Sequence, residues 1–283
     1  MPTEFFVMKK VFRIITPIIV TLLVLISVAL VDPRITKPER LATHTTTTTA
    51  TTTDKYWDVK AKVGYLHVPN TSIDDAVVQA KDNDYFLRRD KYGEYSYDGC
   101  YFVDYECDMK NLSRTTIIYG HNLMDESRYF GQLMQYKDLD FYKKSPVITF
   151  NTNKQEHKWK VCSVFLANTS SSDGQVFVYN SPNFADDKVY GNFIKEIQHR
   201  SLINTTVDVK STDKLLLLST CDYSFSSEWR FVVVARMVRP NESENVDVKN
   251  AKENPNPLYP DAWYRRYGGV KPTFKDDANK NGY

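Results

Sequence analysis

Eight short runs of β-type residues follow one another along the chain, with polar turn residues between several of them. They cover residues 63–68, 76–79, 99–104, 115–120, 146–151, 158–167, 214–220 and 229–238. Short strands separated by turns are typical of closed or nearly closed barrels, so the pattern predicts a mainly β fold with eight strands. Residues 215–218 and 231–235 are apolar at every position, which indicates strands that are covered on both faces.

Two stretches have helical spacing instead. Residues 127–137 and 184–202 each carry apolar side chains three and four positions apart, and Asn183 is a candidate N-cap for the second stretch. A weaker signal at residues 53–61 predicts an N-terminal helix before the first strand. The fold class predicted is therefore mainly β with a few helices.

The N-terminal region has the pattern of a membrane anchor followed by a spacer. Residues 14–31 contain no charge, and as a helix they would span about 27 Å, close to the thickness of a bilayer's hydrocarbon core. Lys9, Lys10 and Arg13 precede them, which predicts a cytoplasmic segment at 1–13 and an extracellular remainder. A cleaved signal peptide is the alternative, because residues 27–29 read Ser-Val-Ala. The threonine-rich residues 32–55 are predicted to be an unstructured linker.

The C-terminal residues 240–283 turn polar and rich in proline and asparagine. No strand or helix pattern persists there, so this region is predicted to be a flexible tail. The exception is an aromatic and basic patch at residues 258–267, which could dock on the barrel, bind wall polymer or stay loose.

Composition excludes several classes of function. The net charge is +2, and no basic stripe with interleaved aromatic residues indicates a nucleic-acid partner. The five histidines lack metal-ligand spacing and no glycine-rich phosphate loop occurs, so neither a metal nor a cofactor is expected. Of the four cysteines, Cys100 and Cys162 lie within β-type runs and should be buried apolar residues. A disulfide between Cys100 and Cys107 stays open, whereas Cys221 should be free.

Three reactive side chains stand at the ends of predicted strands. Cys221 ends one apolar run and Arg230 begins the next, so the two face each other across a predicted hairpin. His121 follows a third run, about a hundred residues earlier. A thiol, an imidazole and a guanidinium can act as nucleophile, proton carrier and oxyanion partner, so this set predicts acyl transfer.

The order and spacing of these residues resemble the sortases, which are cysteine transpeptidases of the Gram-positive cell surface. Residues 217–221, Leu-Leu-Ser-Thr-Cys, are similar to the family's Thr-Leu-x-Thr-Cys signature, with Leu217 where the family usually has Thr. Residues 84–104 and the Tyr-Gly-His-Asn at 119–122 look like class B. The resemblance covers about residues 56–239, read as the catalytic domain. It implies a sortase-type barrel with a long helix between strands 6 and 7, which forms one wall of the substrate groove.

The function implied by this resemblance is cleavage of a C-terminal sorting motif in surface proteins. Cys221 would attack the Thr carbonyl, His121 would carry protons and Arg230 would hold the substrate or the oxyanion. An amine of peptidoglycan would then take the acyl group. The neighbours Ser219, Thr220 and Asp222 are expected to bind substrate.

Tyr190, on the predicted long helix, is a fourth expected substrate-binding residue. The chain's partners would be surface proteins with a C-terminal sorting signal, the peptidoglycan amine, and the membrane through the N-terminal helix. Two alternatives stay open: a pilin-polymerising sortase, and a membrane-tethered binding module without activity.

Overall fold

The computed structural model describes residues 59–274. Within them, eight strands form a closed barrel in the order β1-β2-β3-β4-β8-β9-β6-β5, and β7 and β10 form a separate pair. The strands are β1 (Lys62–His67), β2 (Asp74–Val78), β3 (Phe102–Val103), β4 (Thr115–Tyr119), β5 (Val147–Thr152), β6 (Lys158–Asn168), β7 (Ile203–Asn204), β8 (Leu215–Cys221), β9 (Trp229–Met237) and β10 (Lys252–Glu253). All eight predicted barrel strands are therefore confirmed.

Most neighbouring strands of the barrel run antiparallel, but β2 pairs with β3 and β4 pairs with β8 in parallel. Pairing of β1 with β5 closes the barrel. In β8 and β9, residues 215–218 and 231–235 are fully buried, as their continuous apolar sequence predicts. The parallel pairing of β4 and β8 matters most for the site, because it joins segments that are a hundred residues apart in the chain.

Three α-helices and several 3-10 helices surround the barrel in the described region. The α-helices are α1 (Leu139–Lys144), α2 (Asp187–Arg200) and α3 (Asp261–Tyr267). The 3-10 helices are Tyr85–Arg88, Tyr129–Lys137, Ser171–Asp173 and Val248–Asn250. The helix predicted at 127–137 is present, but as a 3-10 helix. Helix α2 lies between the sixth and seventh barrel strands, which confirms the predicted long helix.

Helix α2 begins later than its sequence pattern suggests. Its N-cap is Asp186, whose side chain accepts a hydrogen bond from the backbone N–H of Val189, and not the predicted Asn183. Phe193 and Ile197 are buried in the core. The hydroxyl of Ser163 in β6 donates to the carbonyl of Ile197 over 2.8 Å, which fixes the helix on the outside of the barrel.

The predictions for the N-terminal region lie largely outside the described residues. This applies to the cytoplasmic segment 1–13, the anchor at 14–31 and the linker at 32–55. Of the helix predicted at 53–61, only residues 59–61 are described, and they form a turn that leads into β1. Within residues 59–274, no helix is both long and apolar enough to cross a membrane.

The predicted flexible tail is wrong for the described residues 240–274. Strand β10 pairs with β7, the backbone N–H of Leu258 donates to the carbonyl of His199 over 2.8 Å, and Ala262 of α3 is buried. The sequence pattern missed these contacts because the elements are short and are stabilised by the barrel beneath them. Residues 275–283 lie outside the described part of the chain.

Candidate active site

The strand pairing brings the three reactive residues to one end of the barrel. Cys221 and Arg230 are direct partners across the antiparallel pair β8 and β9. Tyr119 of β4 is level with Ser219 of the parallel strand β8. His121 and Cys221 each come two residues after this pair. Because parallel strands end at the same edge of a sheet, the two residues lie side by side. The hairpin predicted for Cys221 and Arg230 is confirmed.

A cavity of about 260 Å³ opens at this end of the barrel. Five of the seven predicted site residues line it: His121, Ser219, Thr220, Cys221 and Arg230. The other two, Asp222 and Tyr190, do not, and neither does any other residue of α2. Helix α2 therefore does not form a wall of this cavity, although the family resemblance implied that it would.

His121 is held by the backbone around it. Its Nε2 atom lies 2.8 Å from the carbonyl oxygen of Leu87, and its own carbonyl accepts from the N–H of Phe130. Since a carbonyl can only accept, Nε2 carries a hydrogen. Nδ1 is then the nitrogen that gains and loses a proton. A Cβ at Gly99, which has φ +62°, would come within 3.0 Å of the His121 ring.

Two neighbours that the sequence analysis missed hold the end of β8. The side-chain amide of Asn122 donates to the carbonyl of Cys221 over 2.9 Å, and its oxygen accepts from the N–H of Met124. Tyr223, in the loop that follows β8, interacts electrostatically with Cys221. Burial raises the pKa of Tyr223, and the nearby Cys221 raises it further, while Arg230 opposes the shift. The position of Asn122 directly after the histidine was the available sequence signal.

Cys221 differs from the other cysteines in its surroundings. All four cysteines are free thiols, so the open question of a Cys100–Cys107 disulfide is answered in the negative. Burial raises the pKa values of Cys100, Cys107 and Cys162 to about 12, which keeps these thiols protonated and unreactive. Cys221 is half-buried and opens into the cavity. It is the cysteine best placed to act as a nucleophile.

One nitrogen of the Arg230 guanidinium is held by hydrogen bonds to the protein, and the other two are available to a ligand. Its Nη1 donates to the carbonyls of Ser227 and Trp229, each over 2.9 Å. Among the described residues, no side chain or backbone group accepts from its Nε or Nη2. The guanidinium is thus anchored on its own loop while part of its fork faces the cavity, where it can meet a carbonyl or an oxyanion.

Ser219 and Thr220, which were predicted to bind substrate, lie on the cavity wall in different settings. The Ser219 hydroxyl is hydrogen-bonded to that of Tyr179 over 2.8 Å. The Thr220 hydroxyl is buried without a hydrogen-bond partner among the described residues. A buried hydroxyl without a partner costs free energy, so it is a position at which a bound ligand could restore a hydrogen bond.

Asp222 and Tyr190 are structural residues, which corrects two predictions. The Asp222 side chain is 1% exposed and forms an ion pair of 2.6 Å with Lys137. It also accepts from the N–H of Ser224, so it anchors the loop after β8. Tyr190 is fully buried on the inner face of α2, and its hydroxyl donates to the carbonyls of Arg114 and Asp213. Neither side chain can reach a ligand in the cavity.

Among residues 59–274, no group of three or more His, Cys, Asp or Glu side chains could hold a metal ion. The fold and the site together define a β-barrel enzyme whose candidate nucleophile is a cysteine at one end of the barrel. Comparison with known proteins gives its family: a sortase domain model matches residues 66–238. The chain belongs to the sortase family, class B, and is a cysteine transpeptidase.

Two curated relatives are similar over most of the catalytic domain. Sortase B of Staphylococcus aureus is 32% identical over 178 residues, which cover 62% of this chain and 70% of the relative. Sortase B of Listeria monocytogenes is 30% identical over 180 residues, which cover 63% and 70%.

A solved structure, the Staphylococcus aureus sortase B–substrate complex, matches with a TM-score of 0.59 and 30% identity. The match covers 64% of this chain and 82% of that one.

Proposed function

We propose that this chain is a membrane-anchored class B sortase that cleaves a C-terminal sorting motif of surface proteins. It would join the Thr carbonyl of that motif to an amine of peptidoglycan. The observation that carries the proposal is the cavity at the barrel's end, which is lined by Cys221, His121 and Arg230. The family membership supports the reaction type, since sortases are cell-wall sorting transpeptidases.

The first half-reaction forms a thioester. The Cys221 thiolate attacks the Thr carbonyl of the sorting motif, and the resulting oxyanion is held by the guanidinium of Arg230. His121 as imidazolium gives its proton from Nδ1 to the leaving amine, so the peptide bond breaks and the C-terminal fragment departs. The Leu87 carbonyl at Nε2 supports this role, because it holds the ring in place and leaves Nδ1 for proton transfer.

The second half-reaction reverses the roles. The amine of the peptidoglycan acceptor attacks the thioester, His121 takes the amine's proton, and the Cys221 thiolate leaves. A new amide bond replaces the one that was broken, so the exchange needs no external energy source and no cofactor. The sortase B of Staphylococcus aureus has been solved as a substrate complex, which supports substrate binding by the related fold of this chain.

The membrane anchor is part of the proposal and rests on the sequence. Residues 14–31 are uncharged, and the basic residues Lys9, Lys10 and Arg13 precede them. Protease added to intact cells should digest the catalytic domain, and a chain lacking residues 14–31 should leave the membrane fraction. Full protection of the domain in intact cells would show that the proposed orientation is wrong.

Replacement of the nucleophile tests the activity. Cys221→Ala should abolish both cleavage of a sorting peptide and transfer to an amine, because the thioester cannot form. Circular dichroism should be unchanged, since a small side chain suits the strand end. Cys100→Ala is the matched control, because Cys100 is also half-buried but is kept protonated by its raised pKa. Turnover by Cys221→Ala would overturn Cys221 as the nucleophile, and absence of turnover by the unchanged protein would favour a binding module.

A further inference from the structure

The C-terminal segment reaches the active-site end of the barrel, although the sortase domain match ends at residue 238. Pairing of β10 with β7 and the Leu258–His199 hydrogen bond fix its path. Helix α3 follows and lies beside the 3-10 helix Ser171–Asp173, where Arg265 donates to the carbonyl of Ser172 over 2.8 Å. These contacts bring the last turn of α3 to the loop of residues 222–228, which connects Cys221 to Arg230.

The last turn of α3 covers one residue of that loop. The Arg266 guanidinium lies 4.9 Å from the centre of the Phe225 ring, a distance at which cation and ring attract each other. The Tyr267 ring meets Phe225 edge-on, with 6.4 Å between centroids and 71° between planes. Arg266 and Tyr267 thus hold Phe225 from the outside.

Phe225 transmits this contact inward to Arg230. Its ring stacks on Trp229, with centroids 4.2 Å apart and planes 13° apart. Trp229 is 1% exposed and donates from Nε1 to Asp173 over 2.8 Å. The carbonyl of Trp229 is one of the two acceptors that fix Nη1 of Arg230. A continuous series of contacts therefore joins α3 to the guanidinium.

We propose that Arg266 and Tyr267 are positioning residues for the transpeptidation site. They hold Phe225 on Trp229, and so keep the two carbonyls of residues 227 and 229 where they orient the Arg230 guanidinium. The inference rests on the proposed role of Arg230. It gives the aromatic and basic patch at 258–267 a function, namely to make the C-terminal segment a support for the active-site loop.

The test is the double variant Arg266→Ala/Tyr267→Ala. Its kcat/KM for a sorting peptide should fall about tenfold, less than for loss of an oxyanion partner, because the guanidinium is loosened and not removed. The melting temperature should stay within about 2 °C, since both side chains are exposed. Arg266→Lys/Tyr267→Phe keeps cation and ring and should restore most of the rate. Lys271→Ala, which breaks an exposed ion pair with Asp261 in the same segment, is the control.

A double-mutant cycle shows whether the effect passes through Arg230. In an Arg230→Lys background, replacing both Arg266 and Tyr267 by Ala should lower kcat/KM by clearly less than tenfold. The guanidinium that they position is already absent there. Phe225→Leu removes the same contacts from the loop side and should reproduce the loss without touching α3. Additive losses, equal loss in Lys271→Ala, or no loss would each overturn the inference. If the inference fails in one of these ways but the variants still cleave the sorting peptide in a reaction that needs Cys221, the proposed function is unaffected.

Discussion

Two arginines of β9 show how differently one residue type is used within nine positions. Arg230 is partly exposed at the cavity, with only Nη1 engaged by its own loop. Arg236 is 1% exposed, and its guanidinium forms ion pairs with Glu242 and donates to the carbonyl of Asp208. Arg236 is therefore a structural residue of the barrel.

Arg230→Lys tests the role of the planar fork. Lysine keeps the charge but has no fork to contact a backbone carbonyl and an oxyanion together, so kcat/KM should fall about 10²-fold. Circular dichroism and melting should barely change. Arg128→Lys is a suitable control, because Arg128 is exposed and its partner is the surface residue Asp98. Arg236→Lys is unsuitable, since it would disturb a buried ion network.

A normal rate for Arg230→Lys would show that positive charge alone is sufficient at this position. A large loss of melting temperature would instead assign Arg230 to barrel stability. Kinetics on a sorting peptide and thermal melting of the same preparations separate these outcomes.

At the residue scale, the ends of apolar runs were a sufficient signal for which residues come together at one end of the barrel. Cys221, His121 and Arg230 each follow or begin an apolar run, and strand pairing brings such positions together. Asp222 and Tyr190 were wrong because their orientation depends on tertiary contacts. The Asp222 side chain turns inward to Lys137, and Tyr190 points from α2 into the core; no local pattern reveals either direction.

At the element scale, strands were predicted more accurately than helices. The barrel strands have apolar runs long enough to define them, and their ends differ from prediction by a few residues at most. The segment Tyr129–Lys137 has helical spacing but adopts 3-10 geometry. Helix α3 and strand β10 have seven and two residues, which is too short for periodicity to indicate them. Packing on the barrel, and not intrinsic propensity, stabilises them.

At the scale of the whole molecule, an ion network joins the far end of the barrel to the C-terminal segment. Glu242 accepts from Arg236 of β9, from Lys160 of β6 over 2.7 Å and from the backbone N–H of Arg239. Hydrogen bonds from Arg236 are the chief reason why the pKa of Glu242 is held well below its ordinary value of 4.5. This residue therefore connects two barrel strands with the chain that leaves them.

Glu242→Gln should destabilise the protein by about 3 kcal/mol at neutral pH, because it leaves the buried Lys160 without its anion and Arg236 with only the exposed Asp208, 3.8 Å away. A carboxylate with a lowered folded-state pKa stabilises the fold above its unfolded-state value, and this contribution is lost as the pH falls towards the folded-state value. The free energies of unfolding of Glu242→Gln and the unchanged protein should thus differ by the full amount above about pH 5. The difference should shrink below about pH 4.

Urea unfolding at a series of pH values measures this difference. Glu244→Gln is the matched control, because Glu244 is an exposed glutamate of the same segment. A pH-independent difference for Glu242→Gln would show that the side chain stabilises by shape and not by charge.

Closure of the barrel also limits how a peptide can be recognised. Each of the eight strands has a neighbour on both sides, since β1 and β5 pair with each other as well as with β2 and β6. The barrel therefore has no free terminal strand to which an incoming polypeptide could add itself as a ninth, although the two-residue strand β3 covers only part of β2 and β4. The peptide of the proposed reaction would then not be bound mainly through a ladder of main-chain hydrogen bonds. Its backbone must be met by side chains and loops, so specificity can change through loop sequence while the barrel stays constant.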